Sequence, residues 1–416
     1  MKKKLMSLML VAATSVTMLA GCQSASAPQQ EEAQGESATE EQASEGLDAS
    51  NIKVGVIYIG DENEGYTAAH MQGIDDMQAA LGLSDEQVIE KSLIPEDESC
   101  ADAAEDLVDQ GCNVVFATSF GHESFLMQVA GDHPEVEFAH ATGYQAAGSG
   151  LSNFHNYFDN IYEARYVSGV VAGMKLNEMI ADGKITADQA KVGYVGAYPY
   201  AEVISGFTSF FLGVRSQVPT ATMEVQYTNS WADMTAEGEV ATQLIADGCV
   251  LISQHADTTG APTACEKAGV PCVGYNVDMT AVAPTCALTS ASNNWGVYYT
   301  YAVQAVLNGE VMPADWTAGF ADGAVAITDL NQNAIAEGTE DVVKETIEAI
   351  SSGKLNVFDT STFTVDGGKT LEDAIAEGGD YAQYAQYVSD GAFHESSVAS
   401  APAFAMIIDG ITANAE

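Results

Sequence analysis

The sequence has 416 residues, with 14 Lys and Arg against 59 Asp and Glu, a formal charge of -45. Nucleic-acid binding needs clustered basic side chains to displace counterions, and beyond the first residues there is no such cluster, so that class is excluded. This acidity keeps a chain soluble and away from anionic lipid, but says nothing of its fold.

Met1–Cys22 reads as a targeting segment. Lys2, Lys3 and Lys4 precede an apolar run, Leu5 to Leu19, that is short for a membrane span. It ends in Leu19-Ala20-Gly21-Cys22, which resembles the lipobox of bacterial lipoproteins, where the cysteine is lipidated and becomes the new N-terminus. A plain secretory signal with an incidental cysteine is the alternative. The expected boundaries are a signal peptide over 1–21 and an acidic tether over 22–50. The tether is built from Gln, Glu, Ser, Ala and Gly, too polar to offset its ordering entropy. No other apolar run reaches ~18 residues, so lipid at Cys22 is the only membrane attachment expected.

About 366 residues follow, enough for two lobes by the ~100–200-residue rule. Their anchor is Ile52–Gly82. IKVGVIYIG suits a parallel strand buried on both faces, and DENEGY is a short acidic loop. In the helix that follows, Met71, Ile74, Met77 and Leu81 share one face. A loop between such a strand and helix lies at the carboxyl end of the sheet, where ligands of open α/β folds sit. Tyr66 closes that loop.

The βα unit recurs. Strands are predicted at Gln87–Ile94, Asn113–Ser119, Glu137–Gly143 and Leu151–Tyr157, and helices at Cys100–Gly111 and Glu123–Asp132. A longer helix, Glu163–Ile180, carries Ala172-Gly173 for close packing. The pattern then restarts with strands at Lys191–Gly196, Thr222–Thr228, Val250–Gln254 and Pro271–Asn276. Helices at Glu202–Gln217, Thr235–Asp247 and Ala261–Ala268 alternate with them. Cys286–Ser290 is a short strand, Gly296–Leu307 a helix, Trp316–Leu330 extended and Glu340–Ile350 helical. The fold class is therefore α/β, with two doubly wound parallel-sheet lobes. Lobe one spans 51–160, the first part of lobe two 161–282, and elements in 283–416 cross over to complete both.

Enzyme signatures are missing. There is no G-x-G-x-x-G after Ile59, no P-loop and no G-x-S-x-G elbow, and His122-Glu123 lacks the second histidine of a zinc helix. Six cysteines remain besides Cys22, none spaced as a metal or redox pair. Cys100 and Cys112 bracket a helix roughly 18 Å long, beyond disulfide reach, while Cys249 and Cys272 open strands that could be neighbours. Buried free thiols are expected. What stands out is aromatic and polar residues at strand ends. They are Tyr66, Ser119 with Phe120, Tyr198, Trp231 with Asp233, His255 with Asp257, Asp278 and Asn293, joined by His70 on the first helix. A planar ligand held between two lobes wants two aromatic faces and a carboxylate for its ring N–H groups. Taken singly, each aromatic fits core or loop packing better. Their position after strands of both lobes is what counts.

The run from Ile52 through Leu330 resembles the basic membrane protein family of ABC-transporter substrate-binding lipoproteins. The residues that carry the likeness are GYTAAHMQG (65–73), YTNSWAD (227–233), QHAD (254–257), GYNVDM (274–279) and LTS to NWG (288–296). The resemblance implies a type I periplasmic-binding-protein fold that closes by a hinge, no catalysis and no cofactor. It further implies a small purine ligand, a permease partner in the membrane and a monomer anchored outside the cell membrane by lipid. By position, Tyr66 and Trp231 would sandwich the purine and Asp278 would read its edge. The nucleoside-binding branch carries a lysine shortly after its Thr-Ser pair. Here Asn293 stands where that lysine is expected, which makes a free base such as adenine at least as fitting as a nucleoside. The alternatives are a sensor lipoprotein, a binder of another planar or sugar ligand, and a nucleoside-acting enzyme.

Overall fold

A computed structural model describes residues 46–414. The signal segment, Cys22 and the tether up to residue 45 lie outside the described residues.

The first half alternates strand and helix: β1 (Val54–Ile57), α1 (Gly65–Leu81), β2 (Val88–Lys91), α2 (Glu98–Asp109), β3 (Val114–Ala117), α3 (Glu123–Asp132), β4 (Glu137–Ala141), the single turn α4 (Ala146–Ser149) and β5 (Phe154–Tyr157). The pattern repeats with α5 (Ile161–Ala181), β6 (Lys191–Gly196), α6 (Ala201–Gln217), β7 (Thr222–Tyr227), α7 (Met234–Ala246), β8 (Leu251–Gln254), α8 (Gly260–Ala268), β9 (Cys272–Tyr275) and β10 (Ala287–Asn293). Then come α9 (Gly296–Asn308), β11 (Asp315–Trp316), β12 (Val325–Ile327), α10 (Thr339–Ser351), α11 (Leu371–Glu377), the hairpin β13 (Val388–Ser389) and β14 (Ala392–Phe393), and β15 (Ile411–Asn414).

Two sheets result. The first has the order β11-β5-β4-β3-β1-β2 and is parallel throughout. The second has the order β12-β10-β9-β8-β6-β7-β15 and is parallel except where β12 runs against β10. In the first sheet β1 lies between β2 and β3, and in the second β6 lies between β7 and β8. Strand order reverses there, so the loops after β1, β3, β6 and β8 open the crevice that α/β folds use for ligands. The chain passes between the sheets at 158–160, 294–295 and 317–324. Phe158 N–H donates to Trp316 O (3.1 Å), Asn160 N–H to Ala318 O (2.8 Å) and Asn294 N–H to Ala324 O (2.7 Å), which ties the three crossings together.

Local sequence explains the elements. β1 is buried at every position, as its uncharged run requires. α1 is capped by Glu64, whose carboxylate accepts the Tyr66 and Thr67 N–H groups (2.8 Å each), and stops at Gly82 in the left-handed region (φ 67°). Its Ile74 and Met77 pack with Trp295 and with Tyr298 and Tyr299 of α9, so α9 returns to the first lobe. α5 and α6 approach closely because a Cβ at Gly169 would overlap the Phe210 carbonyl, and one at Gly213 the Tyr166 carbonyl. Gly173 lies against Gln217 and Val214 in the same interface.

Some elements differ from expectation. Trp316–Leu330 is not one extended run. A 3-10 turn at Phe320–Asp322, closed by Gly323 at φ 74°, splits it into β11 in the first sheet and β12 in the second. Cys272 pairs in register with Ile252, not Cys249, and its N–H donates to Cys286 O (2.8 Å). Cys100, Cys112, Cys249, Cys265, Cys272 and Cys286 are all free and buried. Among the described residues no helix is long and apolar enough to cross a membrane, and no group of His, Cys, Asp and Glu could hold a metal ion.

Candidate functional site

The crevice holds a cavity of about 310 Å³, lined from both lobes. From the first lobe come Gly60, Glu64 and Tyr66 after β1, Thr118, Ser119 and Phe120 after β3, and Thr142 after β4. From the second come Tyr198 and Glu202 after β6, Ser230 to Ala232 after β7, His255 and Asp257 after β8, and Tyr275 at the end of β9.

The first-lobe wall is held by hydrogen bonds. Tyr66 Oη donates to Thr118 O (2.8 Å), which fixes its ring against the edge of His70 (centroids 4.4 Å, 84°). Ser119 Oγ and Gly121 N–H both donate to Glu96 Oε1 (2.6 and 2.8 Å), and His140 Nε2 meets Ser119 O (2.7 Å). Burial pushes the His140 imidazole down to about 4, so it is neutral there. Glu123 accepts the Tyr144 and Gln145 N–H groups (2.7 and 2.8 Å) and so fixes the loop after β4. Thr142, in that loop, has φ 67°, a strained conformation for a β-branched residue. Its buried Oγ1 has no partner among the described residues. Strain and an unpartnered buried hydroxyl therefore coincide in the cavity wall.

The second-lobe wall is aromatic and acidic. Tyr198 stacks on Tyr200 (5.1 Å, 14°) and meets Trp231 edge-on (5.1 Å, 67°). Tyr200 in turn stacks across the crevice on Phe120 (5.3 Å, 27°). His255 is buried with Nε2 3.2 Å from Glu202 Oε1. Burial, then the nearby Arg165 cation, lower it to about 4, so it too is neutral. Asp257 Oδ1 accepts from Asn276 Nδ2 (3.0 Å). Burial first, then the carboxylates of Glu64, Glu237 and Glu202, hold the Asp257 carboxyl well above the usual range. A carboxyl in its neutral form, which this upward shift favours, both donates and accepts a hydrogen bond. Tyr275 lies beneath Arg165, whose guanidinium carbon is 3.6 Å from the ring centroid.

The lobes also touch directly. Gly65 N–H, at the start of α1, donates to Asp257 O across the crevice (2.9 Å), while Asp257 N–H donates to Trp231 O (2.9 Å). A Cβ at residue 65 would lie 3.0 Å from the Asp257 oxygen, tighter than ordinary contact, so glycine lets the main chains meet.

Seven of the expected residues line this cavity: Tyr66, Ser119, Phe120, Tyr198, Trp231, His255 and Asp257. The other four stand elsewhere. His70 is core: its ring stacks on Trp295 (4.3 Å, 13°) and Nδ1 meets Tyr299 Oη (2.7 Å). Asp233 caps α7 through the Thr235 and Ala236 N–H groups. Asp278 is exposed and spends its carboxylate on Thr280 N–H and Oγ1 (2.8 and 2.7 Å), because the left-handed turn at Asn276 (φ 63°) carries the chain away from the crevice. Asn293 is buried outside the lining, with neither amide atom partnered among the described residues. Of the polar and aromatic lining, sequence reasoning missed Glu64, Thr118, Thr142, Glu202, Ser230 and Tyr275. Glu202 carried a legible signal, as the acidic residue at a helix start beside Tyr198-Pro199-Tyr200, and so did Tyr275, at the end of a predicted strand.

Comparison with known proteins bears on this site. The family model described as ABC transporter substrate-binding protein PnrA-like matches residues 52–356. A purine-binding protein of Brucella abortus is 33% identical over 325 residues, 77% of this chain and 87% of its own. A Haloferax volcanii protein provisionally named an ABC transporter glucose-binding protein is 30% identical over 259 residues, 62% of each. An ABC transporter solute-binding protein of Conexibacter woesei superposes with a TM-score of 0.59 at 20% identity, over 73% of this chain and 98% of its own. That last likeness bears on the fold alone.

Proposed function

The chain belongs to the PnrA-like family of ABC transporter substrate-binding proteins, and from that premise we propose that its ligand is a purine, base or nucleoside, with an adenine-like ring. It is a binding protein and not an enzyme, with the type I periplasmic-binding-protein fold, working outside the cytoplasm with a permease partner. In our reading it is a monomer held to the membrane by lipid on Cys22, with the acidic tether as spacer.

The observation that carries the purine reading is one carboxyl between aromatic walls. Tyr66 from one lobe and Trp231 from the other line the same cavity, and Asp257 lies between their loops. Two rings suit a flat heterocycle. A neutral Asp257 offers one O–H donor and one carbonyl acceptor, which complements the amino group and adjacent ring nitrogen of adenine. Asp257 thus takes the role that the resemblance assigned to Asp278. Because the neutral form is the one that donates, adenine affinity should fall as pH rises and Asp257 ionises.

A thermal-shift panel of adenine, guanine, their nucleosides and glucose, followed by calorimetry, tests the reading. Adenine or adenosine should raise the melting temperature most. Stabilisation by glucose alone would replace this reading with a sugar-binding one, which the Haloferax relative favours.

A further inference from the structure

The family match ends at residue 356, yet the chain continues to the last described residue, 414, as an integral part of the second lobe. Phe358 stacks on Phe404 (4.5 Å, 15°), Phe393 meets Phe404 edge-on (5.0 Å), and β15 adds a parallel edge strand beside β7. From there the segment reaches the hinge and the first sheet. Ser396 Oγ donates to Asn160 Oδ1 (3.2 Å), and Ser400 donates through N–H and Oγ to Asp315 Oδ1 (2.8 and 3.0 Å).

Spanning the crevice mouth in this way, it walls a second cavity of about 600 Å³. The facing walls are the loop after β4 and the turn before α6. Phe120, Thr142 and Glu202 line both cavities, so the outer one begins where the inner one ends. The chemistry of the outer walls is mixed. Tyr200, Tyr384 and Tyr387 offer ring faces and hydroxyls, Gln383 and Gln386 offer amides that both donate and accept, and Glu202 is a carboxylate acceptor. The unpartnered Thr142 hydroxyl sits at the junction. No Lys or Arg lines either cavity.

Building on the purine reading, we propose that the outer cavity is a second subsite, which takes the neutral, hydroxylated substituent of a nucleoside whose base occupies the inner cavity. Ring faces suit the C–H face of a sugar, and amides, hydroxyls and the carboxylate suit its O–H groups. The missing cation and the shared Glu202 disfavour a phosphate, which wants basic partners. The wall that would meet the sugar, Gln383 to Tyr387, belongs to the segment that lies beyond the family match. Such a wall shifts the balance from free base to nucleoside.

Calorimetry on the full chain with adenine, adenosine and adenosine monophosphate tests this, alongside a Gln383→Ala, Gln386→Ala double variant. Both glutamines are exposed, and an unchanged melting temperature checks that the variant folds. The expected result is adenosine about tenfold tighter than adenine, the worth of one or two added hydrogen bonds. The double variant should lose most of that advantage while adenine binding holds, and the monophosphate should bind more weakly than adenosine. Adenine matching adenosine, equal losses for both in the variant, or a tighter monophosphate would each overturn the second subsite and leave the purine reading standing. No binding of any purine by the parent protein would bring down both.

Discussion

Two aromatic clusters of the molecule differ in how far the fold covers them. Beneath the first sheet, Trp295, Tyr298, Tyr299, Tyr157 and Phe116 are fully buried, with Tyr157 stacked on Tyr298 (3.8 Å, 15°) and His70 on Trp295. At the crevice, Phe120 and Tyr200 are 37% and 40% exposed, and Tyr198 and Trp231 are half-buried. In the first set Tyr298 and Tyr299 stand on α9, Phe116 and Tyr157 within strands, and Trp295 at the cap of α9, while the second set stands in loops that follow strands. Composition is shared; what differs is whether the fold itself covers the ring. An aromatic residue on a helix face must be covered by the fold itself, whereas one in a loop at the carboxyl end of a parallel sheet is left for something else to cover.

Substitutions in the two clusters sharpen that contrast. Trp295→Ala should cost about 3–5 kcal/mol of stability by opening a cavity in a dry core, read from urea unfolding. A loss under 1 kcal/mol would mean the lower cluster is not the core it resembles. Two buried carboxyls differ in their surroundings instead. Asp257 lines the crevice cavity, while Glu395 lies outside that lining, bonded by Ser205 Oγ (2.6 Å), with burial raising it from 4.5 to about 7. A raised folded-state value means that its stabilising contribution is complete below pH 4.5 and is lost as pH climbs through 7. Glu395→Gln should therefore flatten the fall in stability between pH 5 and 7 by on the order of 3 kcal/mol. Identical pH slopes for parent and variant would contradict this.

Next in size is Trp231→Ala, which should weaken purine binding by ~1–3 kcal/mol, the range for base–aromatic stacking, with little change in unfolding. Lost stability with unaltered affinity would move Trp231 into the structural set. Smallest is Gly65→Ala, where the new Cβ crowds the Asp257 carbonyl. Affinity should drop a few-fold, about 1 kcal/mol, with global stability unchanged, as calorimetry and thermal melts would show.

The paired βα pattern was legible because strands such as β1 are unbroken apolar runs and α1 shows its face at spacings of three and four. Seven residues of the cavity lining were legible for a related reason: they follow strands. What stayed hidden depends on backbone conformation and non-local contact. Thr142 matters through a positive φ that its side chain disfavours, and Glu64 caps a helix although glutamate is an uncommon cap. Asp257 and Asp278 both follow strands, and only the left-handed turn at Asn276 separates the inward one from the outward one. The segment after Gly353 shows no clear hydrophobic period, because its elements are short and its aromatic contacts join residues far apart in sequence, such as Phe358 with Phe404.

The bond from Gly65 to Asp257 spans the crevice through main-chain atoms alone. It therefore does not depend on which rings or carboxyls line the walls, provided that residue 65 stays glycine. The Phe120–Tyr200 stack, also across the crevice, has no such independence and goes with either ring. One of the contacts between the lobes is thus written in the backbone, and it survives exchanges in the walls that would undo the other.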